Sequence, residues 1–203
     1  MPVKKGFPEG DKRLVRGVNH YNSVFQQEAD REGKYTWPWQ RQAARTVTYY
    51  PALLLAIAPI LDVGCGAGQL AAMARAYGVA YAMGFDFSKR AVDLARKQCP
   101  SASFEIADAT TAPALMQSTD YKTAVFLEVL EHVYEDLDII AQVPVGKTVV
   151  ASVPNFHTEG HCRWFPGEKE VIERYSRVLK MDRVITEQSG GSNQWFIFRG
   201  GRR

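Results

Sequence analysis

The sequence predicts an α/β fold built on a mostly parallel sheet, and three observations predict it. The 203 residues are 46% hydrophobic, which suits one good core and a single unit spanning 1–203. From Ile60 onward, short apolar runs alternate with helical stretches, the pattern of βαβ units whose sheet is covered on both faces. The apolar run Ile60-Leu61-Asp62-Val63 also leads directly into glycines at 64, 66 and 68 and then into a helix.

In chain order, the first 50 residues are polar and aromatic and are expected as one or two helices forming a cap over the sheet edge. Ile60 to Gly64 is expected as the first strand and Gln69 to Tyr77 as the helix after it. Ala80 to Phe85 reads as the second strand, ending at Asp86, with Ser88 as N-cap of a helix through Gln98. Ser103 to Ala107 is the third strand, closing on Asp108. Thr123 to Leu127 is the fourth, followed by a helix-like stretch with Leu137 and Ile140 at helical spacing. Lys147 to Val153 is the fifth, stopped by Pro154. Glu168 to Leu179 reads as a helix, and Arg183 to Glu187 and Gln194 to Arg199 as two late strands joined through Ser189-Gly190-Gly191-Ser192, a hairpin loop.

No segment approaches the roughly 18 consecutive apolar residues of a membrane span. The longest apolar run, 52–61, is broken by Pro59. Residues 1–10 lack the apolar region of a secretion signal, so a cytoplasmic location is expected. Cys65, Cys99 and Cys162 have no paired spacing and read as reduced thiols; Cys65 needs only to be small within its turn. The net charge of +3 is concentrated in the first 16 residues, where Lys4, Lys5, Lys12, Arg13 and Arg16 outnumber Glu9 and Asp11. Such a segment either attracts phosphate-bearing partners or is a solvated tail.

The glycine turn carries the chemistry. Glycines let the backbone approach a ligand closely at a helix N-terminus. The spacing is Gly-x-Gly-x-Gly rather than the Gly-x-Gly-x-x-Gly of a dinucleotide turn, which disfavours a nicotinamide oxidoreductase. In open α/β sheets ligands bind beyond the carboxyl ends of the strands. Every notable polar residue falls there: Asp86 after strand two, Asp108 after strand three, Glu128 after strand four, and Asn155, His157 and His161 after strand five. The set fits a nucleoside with an amino-acid tail. Asp86 could accept both ribose hydroxyls, Asp108 with the Ala109 backbone could read an adenine edge, and Asp62 with the turn could serve the amino-acid end.

Over roughly residues 35 to 200 the chain resembles the class I S-adenosylmethionine-dependent methyltransferases. The resemblance rests on Leu61-Asp62-Val63-Gly64-Cys65-Gly66-Ala67-Gly68, Gly84-Phe85-Asp86-Phe87-Ser88, Asp108-Ala109 and Leu127-Glu128-Val129-Leu130-Glu131-His132-Val133. It implies a Rossmann-like, doubly wound, seven-stranded sheet with an antiparallel last strand, S-adenosylmethionine across the strand tips, and S-adenosylhomocysteine as product. It assigns cofactor contacts to Asp62, Gly64, Cys65, Gly66, Gly68, Asp86, Phe87, Asp108, Ala109 and Glu128. Methyl transfer from a sulfonium depends chiefly on positioning, with a base useful when the acceptor is a hydroxyl. His132 is the candidate base, with Glu131 beside it as the other catalytic candidate.

Glu128, Glu131 and His132 at i, i+3 and i+4 of a helical turn would share one face, a metal half-site to which His157 or His161 could add a ligand. The Glu-x-x-Glu-His arrangement is similar to that of ubiquinone-pathway O-methyltransferases and small-RNA 3′-end methyltransferases, where the resemblance implies a divalent cation, Mg²⁺ or Mn²⁺, on the acceptor hydroxyls. No Asp/Asn-Pro-Pro-Tyr follows strand four and no Pro-Cys nucleophile loop is present, so base and glutamine methylation are disfavoured and oxygen is the expected acceptor. Tyr21, Tyr35, Trp37, Trp39, Tyr49 and Tyr50, and Phe156, His157, His161, Arg163, Trp164 and Phe165, are candidate pocket residues, with Arg163 expected to hold an anionic or sugar-like group. Small-molecule O-methylation leads; the alternatives are methylation of a nucleic-acid ribose or chain end, and a non-catalytic cofactor-binding module.

Overall fold

The computed structural model describes residues 6–30 and 48–203. Among them are seven strands: β1 (Ile60–Val63), β2 (Tyr81–Asp86), β3 (Phe104–Ile106), β4 (Thr123–Phe126), β5 (Thr148–Pro154), β6 (Leu179–Gln188) and β7 (Gln194–Arg202). They form one sheet in the order β3-β2-β1-β4-β5-β7-β6. Neighbours from β3 through β5 pair parallel, and β7 runs antiparallel to both β5 and β6. Chain order reverses between β1 and β4, and at such a switch point the loops leaving the two strands diverge and open a crevice beyond their carboxyl ends.

Helices α1 (Val18–Asp30), α2 (Tyr49–Leu55), α3 (Gln69–Ala76), α4 (Lys89–Gln98), α5 (Pro113–Ser118), α6 (Asp136–Ala141) and α7 (Glu168–Tyr175) complete the described architecture, with a short 3-10 turn at Lys12–Leu14. Successive strand residues point to opposite faces, and the core divides accordingly. Leu61, Val63, Ala124, Phe126, Val149, Ala151, Phe196 and Phe198 pack in one cluster with Ile139, Ile140, Val171 and Tyr175. Ile60, Val125, Val150 and Ile197 pack in another with Ala52, Leu53, Leu55, Leu70 and Met73. Strands buried on both sides are what the unbroken apolar runs encoded. Ser88 caps α4 as its sequence position suggests, its hydroxyl accepting the Ala91 amide at 3.2 Å.

Two expectations are corrected, and one helix is added. The helix read over 168–179 ends at Tyr175, and Leu179 instead begins β6, paired with Arg202. A four-residue spacing between two buried side chains fits either continuation, and pairing with β7 decides it. The helix α5 was not anticipated, because its six residues span too little for a period to show. Of the N-terminal cap, the described helix α1 does not lie over the sheet edge. Tyr21 and Asn22 of α1 reach side chains that follow β4 and β2 respectively, so α1 crosses the strand tips. Tyr35, Trp37, Trp39, Lys4 and Lys5 lie outside the described residues.

Candidate active site

The turn after β1 takes φ of +73° at Gly64, +51° at Gly66 and +85° at Gly68. A Cβ at Gly64 would lie 2.4 Å from Val129 Cγ2, so glycine there meets both a left-handed backbone and a packed neighbour. The turn is fastened to β2. The Gly64 and Cys65 amides donate to the Phe85 carbonyl at 2.8 and 3.0 Å, and the Gly66 amide donates to Asp86 Oδ2 at 3.0 Å. Asp86 Oδ1 accepts the Ser88 amide at 2.8 Å. Burial pushes the Asp86 carboxyl up to about 6, with the two amides opposing and Asp108 reinforcing. Asp62 lies beneath the turn, where burial raises it to about 7 against a 2.9 Å hydrogen bond from Tyr81 Oη.

A cavity of about 800 Å³ opens over these strand tips. Of the residues expected to hold a cofactor, Gly64, Gly66, Asp86, Phe87, Asp108, Ala109 and Glu128 line it, as does His132. Asp62, Cys65 and Gly68 do not line it: Asp62 is held by Tyr81, and the Gly68 carbonyl accepts the Cys99 thiol. Asp108 closes a turn on itself, Oδ1 accepting the amide and hydroxyl of Thr110 at 2.8 and 2.7 Å.

The segment from Leu127 to Glu135 is a run of bends and turns, so the expectation of one helical face for Glu128, Glu131 and His132 is overturned. Glu128 has φ +59°, the sole positive φ of a non-glycine residue among the described residues, a conformation costing about 1–3 kcal/mol that tends to mark functional sites. Its amide donates to Ser152 Oγ at 2.9 Å and its carboxylate accepts from Thr48 Oγ1 at 3.2 Å, which draws it away from the other two. Glu131, His132 and His161 gather instead, with ligand-type atoms all within 4.8 Å of one another. Glu131 is fully buried, neither carboxylate oxygen has a hydrogen-bond partner, and burial pushes its carboxyl well above the ordinary range. Burial, with His161 beside it, lowers His132 to about 3, and burial lowers His161 to about 4, so both imidazoles are neutral at pH 7.

Other expectations for the strand-five loop change. Thr158, Glu159 and His161 line the cavity, whereas Asn155 ties down the β6–β7 hairpin through the Gln194 amide and Ser192 carbonyl. Phe156 and Phe165 are core residues, and His157 is exposed and packs on Trp164, apart from Glu131. Arg163 holds no external anion, because it is fully buried and ion-paired with Asp136. Tyr21 and Tyr49 line the cavity; Tyr50 is half exposed and contacts Tyr77. The basic residues described near the N-terminus each meet a carboxylate: Lys12 with Glu135 at 3.3 Å, Arg13 with Asp11 at 2.6 Å, Arg16 with Glu159 at 3.6 Å. The sequence reading missed Tyr21 against His132, since no local pattern links positions 111 residues apart.

No curated protein matches the chain by sequence. Residues 60–143 match a family model described as a methyltransferase domain. Among solved structures, magnesium protoporphyrin IX methyltransferase from Synechocystis PCC 6803 with bound SAM superposes with a TM-score of 0.64 at 16% identity, covering 92% of this chain and 95% of that one. The N-methyltransferase NodS from Bradyrhizobium japonicum WM9, in complex with S-adenosyl-L-homocysteine, superposes with a TM-score of 0.61 at 15% identity, covering 90% and 98%. The cyclase SpnF superposes at 0.66 with 14% identity, covering 91% and 95%. At such identities the likeness is one of fold, and one fold hosts several chemistries. Among the described residues no helix is long and apolar enough to cross a membrane. Residues 60–143 thus match a methyltransferase domain, carried on a seven-stranded fold that the chain shares with S-adenosylmethionine-dependent methyltransferases.

Proposed function

We propose that the chain, acting as one unit with its N-terminal segment as a cap, methylates an oxygen of a small molecule. The observation that carries the reading is convergence: the Gly66 turn, the Asp86 carboxylate and the His132 imidazole open on the same cavity of about 800 Å³, within the range of about 300–1,000 Å³ typical of small-molecule and cofactor sites. In this reading Asp86 accepts the ribose hydroxyls, Phe87, Asp108 and Ala109 flank the adenine, and the turn from Gly64 to Gly68, supported by Asp62 and Cys65, receives the amino-acid end. Glu128 completes the wall beside the sulfonium.

The thioether leaving group is neutral, so holding the acceptor in line with the methyl carbon supplies most of the rate. The acceptor hydroxyl gives its proton to neutral His132 as its oxygen bonds the methyl carbon and the sulfur–carbon bond breaks. The resulting imidazolium sits beside Glu131, whose Oε1 is 3.9 Å from His132 Nε2. Pairing of Lys12, Arg13 and Arg16 with carboxylates favours a small acceptor over a phosphate backbone. The test is transfer of radiolabel from S-adenosylmethionine into a cell extract. Label entering the small-molecule fraction, on a species that gains one methyl group at oxygen, is expected; label appearing solely in nucleic acid, or none transferred, overturns the reading.

A second reading adds a divalent cation, and the unpartnered buried carboxylate of Glu131 favours it, since such a group is costly without a charge to face. Glu131, His132 and His161 would hold it, a carboxylate and two imidazoles leaving positions open. When bound, the cation would polarise the acceptor oxygen. Manganese calorimetry on the parent and on His161→Ala tests this: heat in the parent that is lost in the variant supports it, whereas no heat in either, together with chelator-insensitive transfer, removes it.

A further inference from the structure

His132 Nδ1 lies 3.0 Å from the Gly160 carbonyl oxygen and 2.8 Å from Tyr21 Oη. A carbonyl oxygen only accepts hydrogen bonds, so the Gly160 carbonyl is satisfied when the imidazole carries the proton on Nδ1, and the Tyr21 oxygen then accepts from that N–H as well. In the other tautomer Nδ1 would accept the Tyr21 hydroxyl but would set its lone pair against the Gly160 carbonyl oxygen, leaving that carbonyl unsatisfied in a largely buried place. Nε2, the atom nearest Glu131, is therefore the nitrogen with the free lone pair.

The three groups meet because residue 160 is glycine. Its φ is +86°, and a Cβ there would lie 3.1 Å from Tyr21 Oη and 3.3 Å from His132 Nδ1. Tyr21 is itself held in place. Its ring contacts Phe87 at 5.3 Å and stands edge-on to His132 at 5.7 Å. Its neighbour Asn22 accepts the Ser88 hydroxyl at 2.7 Å, while the Ser88 amide donates to Asp86. Two consecutive residues of α1 thus touch the β2 tip and the imidazole that follows β4.

We propose that Tyr21 is a positioning residue for methyl transfer, which with the Gly160 carbonyl locks His132 as its Nδ1–H tautomer and aims Nε2 at the reacting groups. This makes α1 part of the working site rather than a cover. The inference rests on the reading of His132 as a working residue, yet the tautomer can be measured with no acceptor present.

The decisive variant is Tyr21→Phe, which keeps the ring and removes the hydroxyl. Three measurements are made: ¹⁵N-histidine NMR of the full chain, with His132 assigned by its loss in His132→Gln; calorimetry with S-adenosylhomocysteine; and the initial rate of label transfer into a fixed cell extract. The parent is expected to show the Nδ1–H tautomer alone. Tyr21→Phe is expected to show a mixture, S-adenosylhomocysteine affinity like the parent's, and transfer slowed roughly ten- to a hundredfold, as small misplacements at reacting centres do. A parent in the Nε2–H tautomer, or a variant retaining both a single Nδ1–H tautomer and the parental rate, overturns the inference. If His132→Gln transfers label like the parent, the reading of His132 as base fails, whatever the NMR of Tyr21→Phe shows.

Discussion

The carboxylate of Asp86 accepts the amide of Gly66 at 3.0 Å, so the end of β2 fastens the turn that follows β1. The same carboxylate has lone pairs left over, those that the proposed reading gives to the ribose hydroxyls. Asp86→Ala is expected to weaken S-adenosylhomocysteine binding by about ten- to a hundredfold, the loss of hydrogen bonds to a charged group worth about 1.5–3 kcal/mol. Isothermal calorimetry checks this, and parental affinity in the variant would remove Asp86 from the donor site.

Acidity acts on the same pair of strands. Asp62 and Asp86 are raised from 3.8 to about 7 and about 6, chiefly by burial. A carboxyl whose folded-state pKa exceeds its unfolded value adds stability that is complete below the unfolded pKa and is lost as pH rises through the folded one. Asp62→Asn removes this dependence while leaving an oxygen for the Tyr81 hydroxyl. Relative to the parent, the variant is therefore expected to be more stable at pH 8 than at pH 4.5. Urea unfolding at the two values measures the difference, and a difference independent of pH contradicts the assignment.

Gly64 carries two constraints that can be separated. Gly64→Ala places a side chain at φ +73° and 2.4 Å from Val129 Cγ2. A cost of about 3 kcal/mol is expected, a fall of about 6–12 °C in Tm for a chain of this size. Adding Val129→Ala should recover the part owed to crowding and leave the part owed to the backbone. Thermal melts of both variants decide, and a Gly64→Ala protein as stable as the parent would contradict the geometry.

The buried ion network behind the site gives a contrast of magnitudes. Asp136 accepts from Arg174 and Tyr175 and pairs with the fully buried Arg163. Asp136→Asn strands those guanidinium groups and is expected to cost about 3–5 kcal/mol. Asp182→Asn at the exposed Arg199 pair should stay within about 1 kcal/mol. Denaturant melts of the two variants side by side test the ranking, and equal losses would refute it.

The strands, the Ser88 cap, the glycine turn and the carboxylate at Asp86 were legible in the sequence because each is a local matter: a period of two, a capping hydroxyl, a residue type that a positive φ demands. Glu131, His132 and His161 were brought together from residue chemistry, His161 as one of two alternatives, while Glu128 was wrongly placed on their face. Helical spacing from Glu128 presumed a regular backbone, where the chain takes a left-handed step and hands Glu128 to Thr48 and Ser152.

By itself, then, the sequence determined the order of the elements, the two-faced burial of the central strands and the place of the glycine turn, since all of these follow from near-neighbour patterns. The tertiary structure alone decided that Arg163 turns inward to Asp136, that α1 crosses the strand tips, and that Tyr21, Gly160 and His132 meet. Such contacts join positions far apart in the chain, and they depend on how segments without a period pack against one another.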